Sequence, residues 1–387
     1  MKWERVELGE VCDFQGGSQP PKKEWVATPQ NGYIRMLQIR DFTQGKEDHI
    51  AFVRDSDRLK KCNNDDILIG RYGASIGKIL KGLSGAYNVA MIKTIPNEKE
   101  LNKDFLYYYL VSPFFQSFIN GVGTRAAQAG FNKGDISQAQ IPLPPLPEQR
   151  RLAARLDKAD ALRQKSRAVV ETYAELGRSV FLEVFGDDKL VQFKKTKLSE
   201  VADVVSGVAK GKKYKETDLI EIPYMRVANV QDGYLDLEEI KNLKVPQKEI
   251  DRYLLEKGDV LLTEGGDPDK LGRGHVWNQE VSPCIHQNHI YRVRLNQTKL
   301  LPIFFSAYVG SKYGKKYFLR AAKQTTGIAT INLTQLRNFP TILPPLPLQT
   351  RFAAMVANIE AQRRLAERQL EAAEAVFGGV LQGTFEG

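Results

Sequence analysis

The chain has 387 residues, 56 basic against 46 acidic side chains, a net charge of +10 and 42% apolar residues. It can bury cores, its length suits two to three domains, and no run approaches the ~20 apolar residues of a membrane helix. Three scattered cysteines, Cys12, Cys62 and Cys284, exclude a disulfide framework, and the start Met1-Lys2-Trp3-Glu4 is unlike a signal peptide, so a soluble cytoplasmic protein is expected.

In chain order, residues 1–146 come first, dense in short β-type runs separated by glycine: Ile34 to Ile39, Asp66 to Ile69 and Val89 to Ile95. An aromatic segment, Phe105 to Phe118, reads as helix. Next, Leu143-Pro-Pro-Leu-Pro147 must stay extended, because proline lacks a donor and restricts the residue before it. A helix within residues 147–187 follows, with Leu152, Leu156, Ala159, Val170, Tyr173, Val180 and Val184 at spacings of three and four.

The plan then repeats. Leu8, Glu10, Val11, Asp13 and Gly17 recur about 190 residues later as Leu198, Glu200, Val201, Asp203 and Gly207. Tyr33, Arg35 and Asp41 align with Tyr224, Arg226 and Asp232; Asp66, Leu68 and Gly73 with Asp259, Leu261 and Gly266; Asn88 with Asn288. From there to Ala154 the match holds at about 200 residues. The second front part spans 188–346, with strand runs Tyr224 to Val230, Asp259 to Thr263 and His289 to Leu295 and an aromatic helix Ile303 to Phe318. The second helix spans 347–387, its stripe formed by Phe352, Met355, Ile359, Ala366, Ala373, Val376 and Val380. The expected fold is α/β, mixed α+β: two repeated globular domains joined by two long antiparallel helices forming a coiled-coil spacer with pseudo-two-fold symmetry. About 38 helical residues at ~1.5 Å each make a rod of roughly 55 Å.

Charge is uneven between the copies. Between Glu280 and Glu360 there is no acid but ten bases: Arg292, Arg294, Lys299, Lys312, Lys315, Lys316, Arg320, Lys323, Arg337 and Arg351. The counterpart in the first copy, after Asp104, has only Arg125 and Lys133 before Asp135. A local basic field points to a polyanion, and the second domain is expected to carry more of a salt-dependent phosphate grip.

Catalytic patterns are missing. No glycine-lysine pair completes a phosphate-binding loop, no Asn/Asp-Pro-Pro-aromatic tetrapeptide occurs, and Pro268-Asp269 lies downstream of Glu239-Ile240-Lys241, the wrong order for a metal-dependent nuclease. Cys284, His286 and His289 suggest zinc, but a fourth ligand would have to come from elsewhere. Their segment alternates like one strand, with Cys284, His286 and Asn288 on one face and His289 on the other, so no metal site is assigned.

Recognition chemistry remains, in three glycine-bearing loops per copy. The first is Gly16-Gly-Ser-Gln-Pro-Pro-Lys-Lys23 against Gly207-Val-Ala-Lys-Gly-Lys-Lys213. The second is Gly70-Arg-Tyr-Gly-Ala-Ser-Ile-Gly-Lys78 against Glu264-Gly-Gly-Asp-Pro-Asp-Lys-Leu-Gly-Arg-Gly-His275. The third is Gly121-Val-Gly-Thr-Arg-Ala-Ala-Gln-Ala-Gly-Phe-Asn-Lys133 against Lys323-Gln-Thr-Thr-Gly-Ile-Ala-Thr-Ile-Asn332. The scaffold is shared and the side chains diverge, as expected of two domains reading different bases. The candidate DNA contacts are Lys22, Lys23, Arg71, Tyr72, Ser75, Lys78, Thr124, Arg125, Gln128 and Lys133 in the first copy. In the second they are Lys212, Lys213, Arg273, His275, Lys323, Thr325 and Thr326. Candidate spacer and subunit-contact positions are Leu152, Leu156, Tyr173, Val180, Phe352, Ile359, Val376 and Val380.

The whole chain resembles the specificity subunit of type I restriction-modification systems. The marks are Leu143-Pro-Pro-Leu-Pro-Glu-Gln-Arg150 and its echo Leu343 to Gln349, Asp66-Ile-Leu-Ile69, Asp259-Val-Leu-Leu262 and His286-Gln-Asn-His289. The second copy departs with Leu348 and Thr350 in place of Glu148 and Arg150. The resemblance implies a non-catalytic chain in which each front domain reads one half of a bipartite duplex site. The helices would set the gap and dock two methyltransferase subunits. S-adenosylmethionine, Mg2+ and ATP would be used by the partners, which include restriction and translocase subunits, and no membrane is involved. A two-armed scaffold joining acidic proteins is the competing reading.

Overall fold

The computed structural model describes residues 3–44, 49–123, 130–190, 192–211, 213–215, 218–266, 271–325 and 328–386. The chain divides into two compact units, Met1–Ala168 with Glu367–Gly387, and Val169–Ala366. Each unit holds one front domain and a part of each long helix, Leu146–Phe185 and Leu346–Phe385. No helix among the described residues is long and apolar enough to cross a membrane.

In the first unit, an antiparallel sheet runs in the order Cys12–Gly16, Met91–Pro96, Leu68–Gly70, Ile79–Leu80. A second runs Phe52–Arg54, Tyr33–Leu37, Gly85–Tyr87, Lys61–Cys62, with Tyr33–Leu37 parallel to Gly85–Tyr87. The second unit repeats the first sheet as Ala202–Ser206, Ile290–Leu295, Val260–Thr263, Gly274–Val276. It repeats the second as Lys241–Val245, Ile220–Met225, Ile285–His286. Each front domain is closed by a ribbon that brings its beginning against its end: Arg5–Glu7 with Gln140–Pro142, and Lys194–Lys197 with Pro340–Leu343.

Hydrogen bonding corrects the internal alignment. Met36 and Leu37 open the parallel pairing with Ala86 and Tyr87, as Tyr224 and Met225 do with Ile285 and His286. Gln38 and Arg226 then cap the following turns, where Asp41 and Asn229 bond back to them. Gln38 is therefore the counterpart of Arg226, and the shared tyrosine-x-arginine spacing that paired Arg35 with Arg226 is a coincidence. Asn88 likewise matches Gln287, since these two backbone N–H groups donate to Leu37 and Met225. Register is set by pairing, and short strands carry too few residues for identity alone to fix it.

The aromatic segments are each two helices, Lys103–Val111 with Pro113–Gly123 and Pro302–Gly310 with Lys312–Ala321. Ser112 and Ser311 interrupt them, and their hydroxyls donate to the carbonyls of Tyr109 and Tyr308, both at 2.6 Å. The segment Cys284 to Arg294 is also two elements: Ile285–His286 and Ile290–Leu295 belong to different sheets, with Asn288 in the turn between them.

The long helices start at Leu146 and Leu346, so Pro147 and Pro347 lie in the first helical turn and the extended stretch is shorter than expected. A first-turn N–H has no intrahelical acceptor, which makes proline tolerable there. Gln149 and Gln349, both fully buried, fasten these starts to the front domains. The Nε2 of Gln149 donates to the carbonyls of Glu100 and Pro144, while its Oε1 accepts from the backbone of Asn102. Gln349 makes the same three bonds to Lys299, Pro344 and Leu301.

In the first unit Leu152, Leu156 and Ala159 of one helix share a core with Phe377, Leu381 and Phe385 of the other. There Arg167 pairs with Glu374 and the Arg163 guanidinium lies 4.5 Å from the Phe377 ring centre, so the two segments run antiparallel. Phe105 and Tyr109 of the front domain pack on Phe385, at ring separations of 5.1 and 5.7 Å. The second unit builds the same wedge from Phe181, Phe185, Phe304 and Phe352. Val376 is 51% exposed and is not part of this stripe. The buried row is Ala373, Phe377, Leu381 and Phe385, because repeated steps of four follow the face that meets the front domain.

Candidate nucleic-acid interface

The second and third glycine loops meet in both units, in the same register. In the first unit Tyr72 bridges Gly130, and the Arg71 Nε donates to the Phe131 carbonyl at 3.2 Å. In the second, Gly265–Gly266 pairs with Thr330 and Ala329, and Lys323–Thr325 adds a third strand. The first loop enters each domain tightly. A Cβ on Gly17 would lie 2.1 Å from the Asn88 carbonyl oxygen, and one on Gly207 would lie 2.0 Å from that of His286.

The second loop is also anchored from behind. Gly77 and Gly272 both adopt positive φ, and a Cβ there would meet Ile119 at 2.8 Å and the Phe318 ring at 2.4 Å. Only glycine combines that conformation with that approach. Gln116 adds a tether, its Nε2 donating to the Gly77 carbonyl at 2.9 Å.

Several predicted contacts sit on this cluster. Arg71 lies 5.1 Å from the Tyr72 ring centre, Tyr72 is 47% exposed, and Lys78 is exposed. Ser75 is half-buried at the end of the Gly73–Ser75 turn. Lys323 is exposed, and Thr325 ends its strand. Lys22, Lys23 and Lys213 are exposed on the first loops. Two predicted residues are otherwise engaged. Lys133 bonds the Asp13 carboxylate, which holds that carboxyl below its ordinary range. Arg273 donates from Nη1 to the Gln231 Oε1 at 2.8 Å. His275 lies within the Gly274–Val276 strand, where burial lowers its pKa and Glu280 and Arg363 are its charged neighbours. Thr124, Arg125, Gln128, Lys212 and Thr326 lie outside the described residues.

Three of the ten bases in the acid-free stretch are paired with acids from elsewhere in the sequence. Arg292 pairs with Asp203, Arg294 with both Asp259 and Glu256, and Lys315 with Asp232. Arg337 donates to the Val204 carbonyl. Lys299, Lys316, Arg320, Lys323 and Arg351 are exposed and take no acidic partner among the described residues. The Asp66-Ile-Leu-Ile69 and Asp259-Val-Leu-Leu262 motifs have a structural role. Asp66 accepts from the Asn63 backbone and pairs with Lys93 and Lys103, and Asp259, 1% exposed, accepts from the Glu256 backbone and clasps Arg294.

The three residues weighed as zinc ligands have other surroundings. Cys284 is buried, which pushes its thiol up to about 12. His286 is fully buried and donates from Nδ1 to the Ile290 carbonyl at 3.0 Å. His289 faces solvent with its Nδ1 2.5 Å from the Glu264 carboxylate. Glu264, which this histidine contacts, is not among the candidate residues read from the sequence. The available signal was its place directly after the strand, where the first copy has Arg71.

Two copies of one scaffold, each presenting a loop cluster with its own side chains, define a modular recognition protein. The family described as "Type I restriction modification DNA specificity domain" matches residues 1–172 and again 191–375. The chain belongs to that family. It is 22% identical over 394 residues to the StySPI specificity subunit of Salmonella potsdam, covering 95% of this chain and 84% of the relative. It is 21% identical over 411 residues to the EcoKI specificity subunit of Escherichia coli strain K12, covering 98% and 87%. It is similar in fold to the type I S subunit from M. genitalium, at TM-score 0.57 and 15% identity, covering 100% of this chain and 96% of that one. A chain from a study of complex assembly and conformational transition in a type I R-M system aligns at TM-score 0.56 and 20% identity, covering 98% and 97%.

Proposed function

We propose that this chain selects the DNA sequence for a type I restriction-modification complex, each loop cluster reading one half of a bipartite duplex site. The carrying observation is the cluster built twice in one register, Tyr72 on Gly130 and Gly265 on Thr330, with unlike side chains around it. Exposed lysines on the first loops and around Lys323 would hold phosphates, which gives affinity and orientation without sequence information. Side chains of the second and third loops would meet base edges in the major groove.

The long helices act in this reading as a ruler between half-sites and as a dock for two methyltransferase subunits. Exposed apolar side chains on them, Leu162, Leu176, Leu182, Leu365 and Val376, suit such docking. The partners would supply S-adenosylmethionine, the flipping of the target adenine and, through restriction and translocase subunits, ATP- and Mg2+-dependent translocation and cleavage. This chain contributes positioning: holding both half-sites decides which adenines reach the methyltransferases.

Mapping methylated adenines across the host genome, with and without this chain, tests the reading. A two-part motif with a constant gap, lost on deletion, is the expected result. Binding to random duplex without sequence preference, even with the methyltransferase subunits present, would instead make the chain a scaffold.

A further inference from the structure

Arg71 and Glu264 occupy one structural position. Their backbone N–H groups donate to equivalent carbonyls, Arg71 to Ala90 at 2.9 Å and Glu264 to His289 at 3.0 Å. The strands before them, Leu68–Gly70 and Val260–Thr263, pair with equivalent partners, Met91–Pro96 and Ile290–Leu295. The residues after them, Tyr72 and Gly265, meet Gly130 and Thr330 of the third loop. One position thus carries a cation in the first unit and a carboxylate in the second, at the junction of the recognition loops.

Both side chains are held, and both leave polar atoms for a ligand. Arg71 uses Nε on the Phe131 carbonyl, so its orientation is set while Nη1 and Nη2 have no acceptor among the described residues. Glu264, 29% exposed, is oriented by His289 through Nδ1, while the neighbouring Tyr291 hydroxyl donates to the Ile331 carbonyl at 2.9 Å. Each carboxylate oxygen can accept more than one bond, so the pairing with His289 does not exhaust it.

We propose that this position determines specificity in both half-sites with opposite chemistry: Arg71 reads guanine, and Glu264, oriented by His289, reads cytosine. The inference rests on the DNA-recognition reading above. The two terminal nitrogens of an arginine match the paired O6 and N7 acceptors of guanine in the major groove. A carboxylate accepts there from the N4 amino group of cytosine and is repelled by the acceptor edge of guanine. A duplicated scaffold then reads an asymmetric site by changing one side chain at one place.

The test is to produce the full-length chain with its methyltransferase subunits, map the methylated sites, and repeat with Glu264→Gln, Arg71→Gln and His289→Gln, measuring thermal unfolding of each. Glu264→Gln and His289→Gln are expected to relax the same single position of the second half-site roughly tenfold or more, leaving the first half-site unchanged. Arg71→Gln should relax one position of the first half-site alone, and Glu264→Arg should move the second-half position toward guanine. Unchanged motifs at retained methylation overturn the proposal. So does an equal loss across all sequences in a folded chain, which would make these residues general contacts. If the Glu264 variants unfold, His289→Gln decides by the same criterion. Failure of the underlying reading looks different, because the wild-type chain would then give no methylated motif.

Discussion

At the scale of single residues, close backbone approach and burial constrain the recognition domains more than surface chemistry does. Gly207 lies against the His286 carbonyl so closely that a methyl group cannot enter without moving a strand. Gly207→Ala is expected to destabilise the second unit by about 2 kcal/mol or more, measured by denaturant unfolding, with the first unit unaffected. His286 adds a pH dependence. Full burial depresses its pKa from the ordinary 6.5 to about 4, against which its bond to the Ile290 carbonyl is a smaller, opposing influence. The unfolded chain binds the proton first as pH falls. The stabilisation from keeping this ring neutral is therefore complete above about 6.5 and is lost progressively toward about 4. Unfolding midpoints followed across that window should drop for the wild-type chain and drop less for His286→Gln. Both residues belong to the Gly207 and His286-Gln-Asn-His289 marks visible in the sequence. The clash and the burial are tertiary facts, because each needs two segments brought together.

At the scale of elements, the charge of the helix Lys312–Ala321 distinguishes the second copy from the first. This helix carries Lys312, Lys315, Lys316 and Arg320, whereas its counterpart Pro113–Gly123 carries no charge. Lys315 is paired with Asp232, but Lys316, Arg320 and the following Lys323 are exposed and lead directly into the loop cluster. Changing these three to alanine should weaken duplex binding for all sequences alike. It should also flatten the dependence of log affinity on log salt by roughly 2 to 3, at about 0.9 per phosphate contact. An unaltered slope would remove this helix from the interface. Arg294→Ala should act differently, lowering stability by breaking the two-point bond to the buried Asp259. The ten-base excess was legible in the sequence. Which bases remain available was not, since Asp203, Asp232 and Asp259 lie far upstream of the arginines and lysines they neutralise.

At the scale of the whole molecule, the ruler reading predicts a change in the recognised site from a change far from any base. Inserting one heptad at matching levels of both long helices adds about 10 Å and should lengthen the preferred gap by about three base pairs, from ~1.5 Å per residue and ~3.4 Å per base-pair step. The methylated motif of the variant measures this directly, and an unchanged gap would defeat the ruler. The duplication, the four-part plan, the helix stripe and the glycine loops all came from the sequence alone. They depend on periodicity and on identities kept over long spans, which are local or self-comparing signals. The tertiary structure decided what those signals leave open. It aligned Gln38 with Arg226, placed Phe377 rather than Val376 in the stripe, and set Arg71 and Glu264 in one position. Each of these follows from backbone pairing or side-chain packing between residues distant in the chain, and no single segment contains that information.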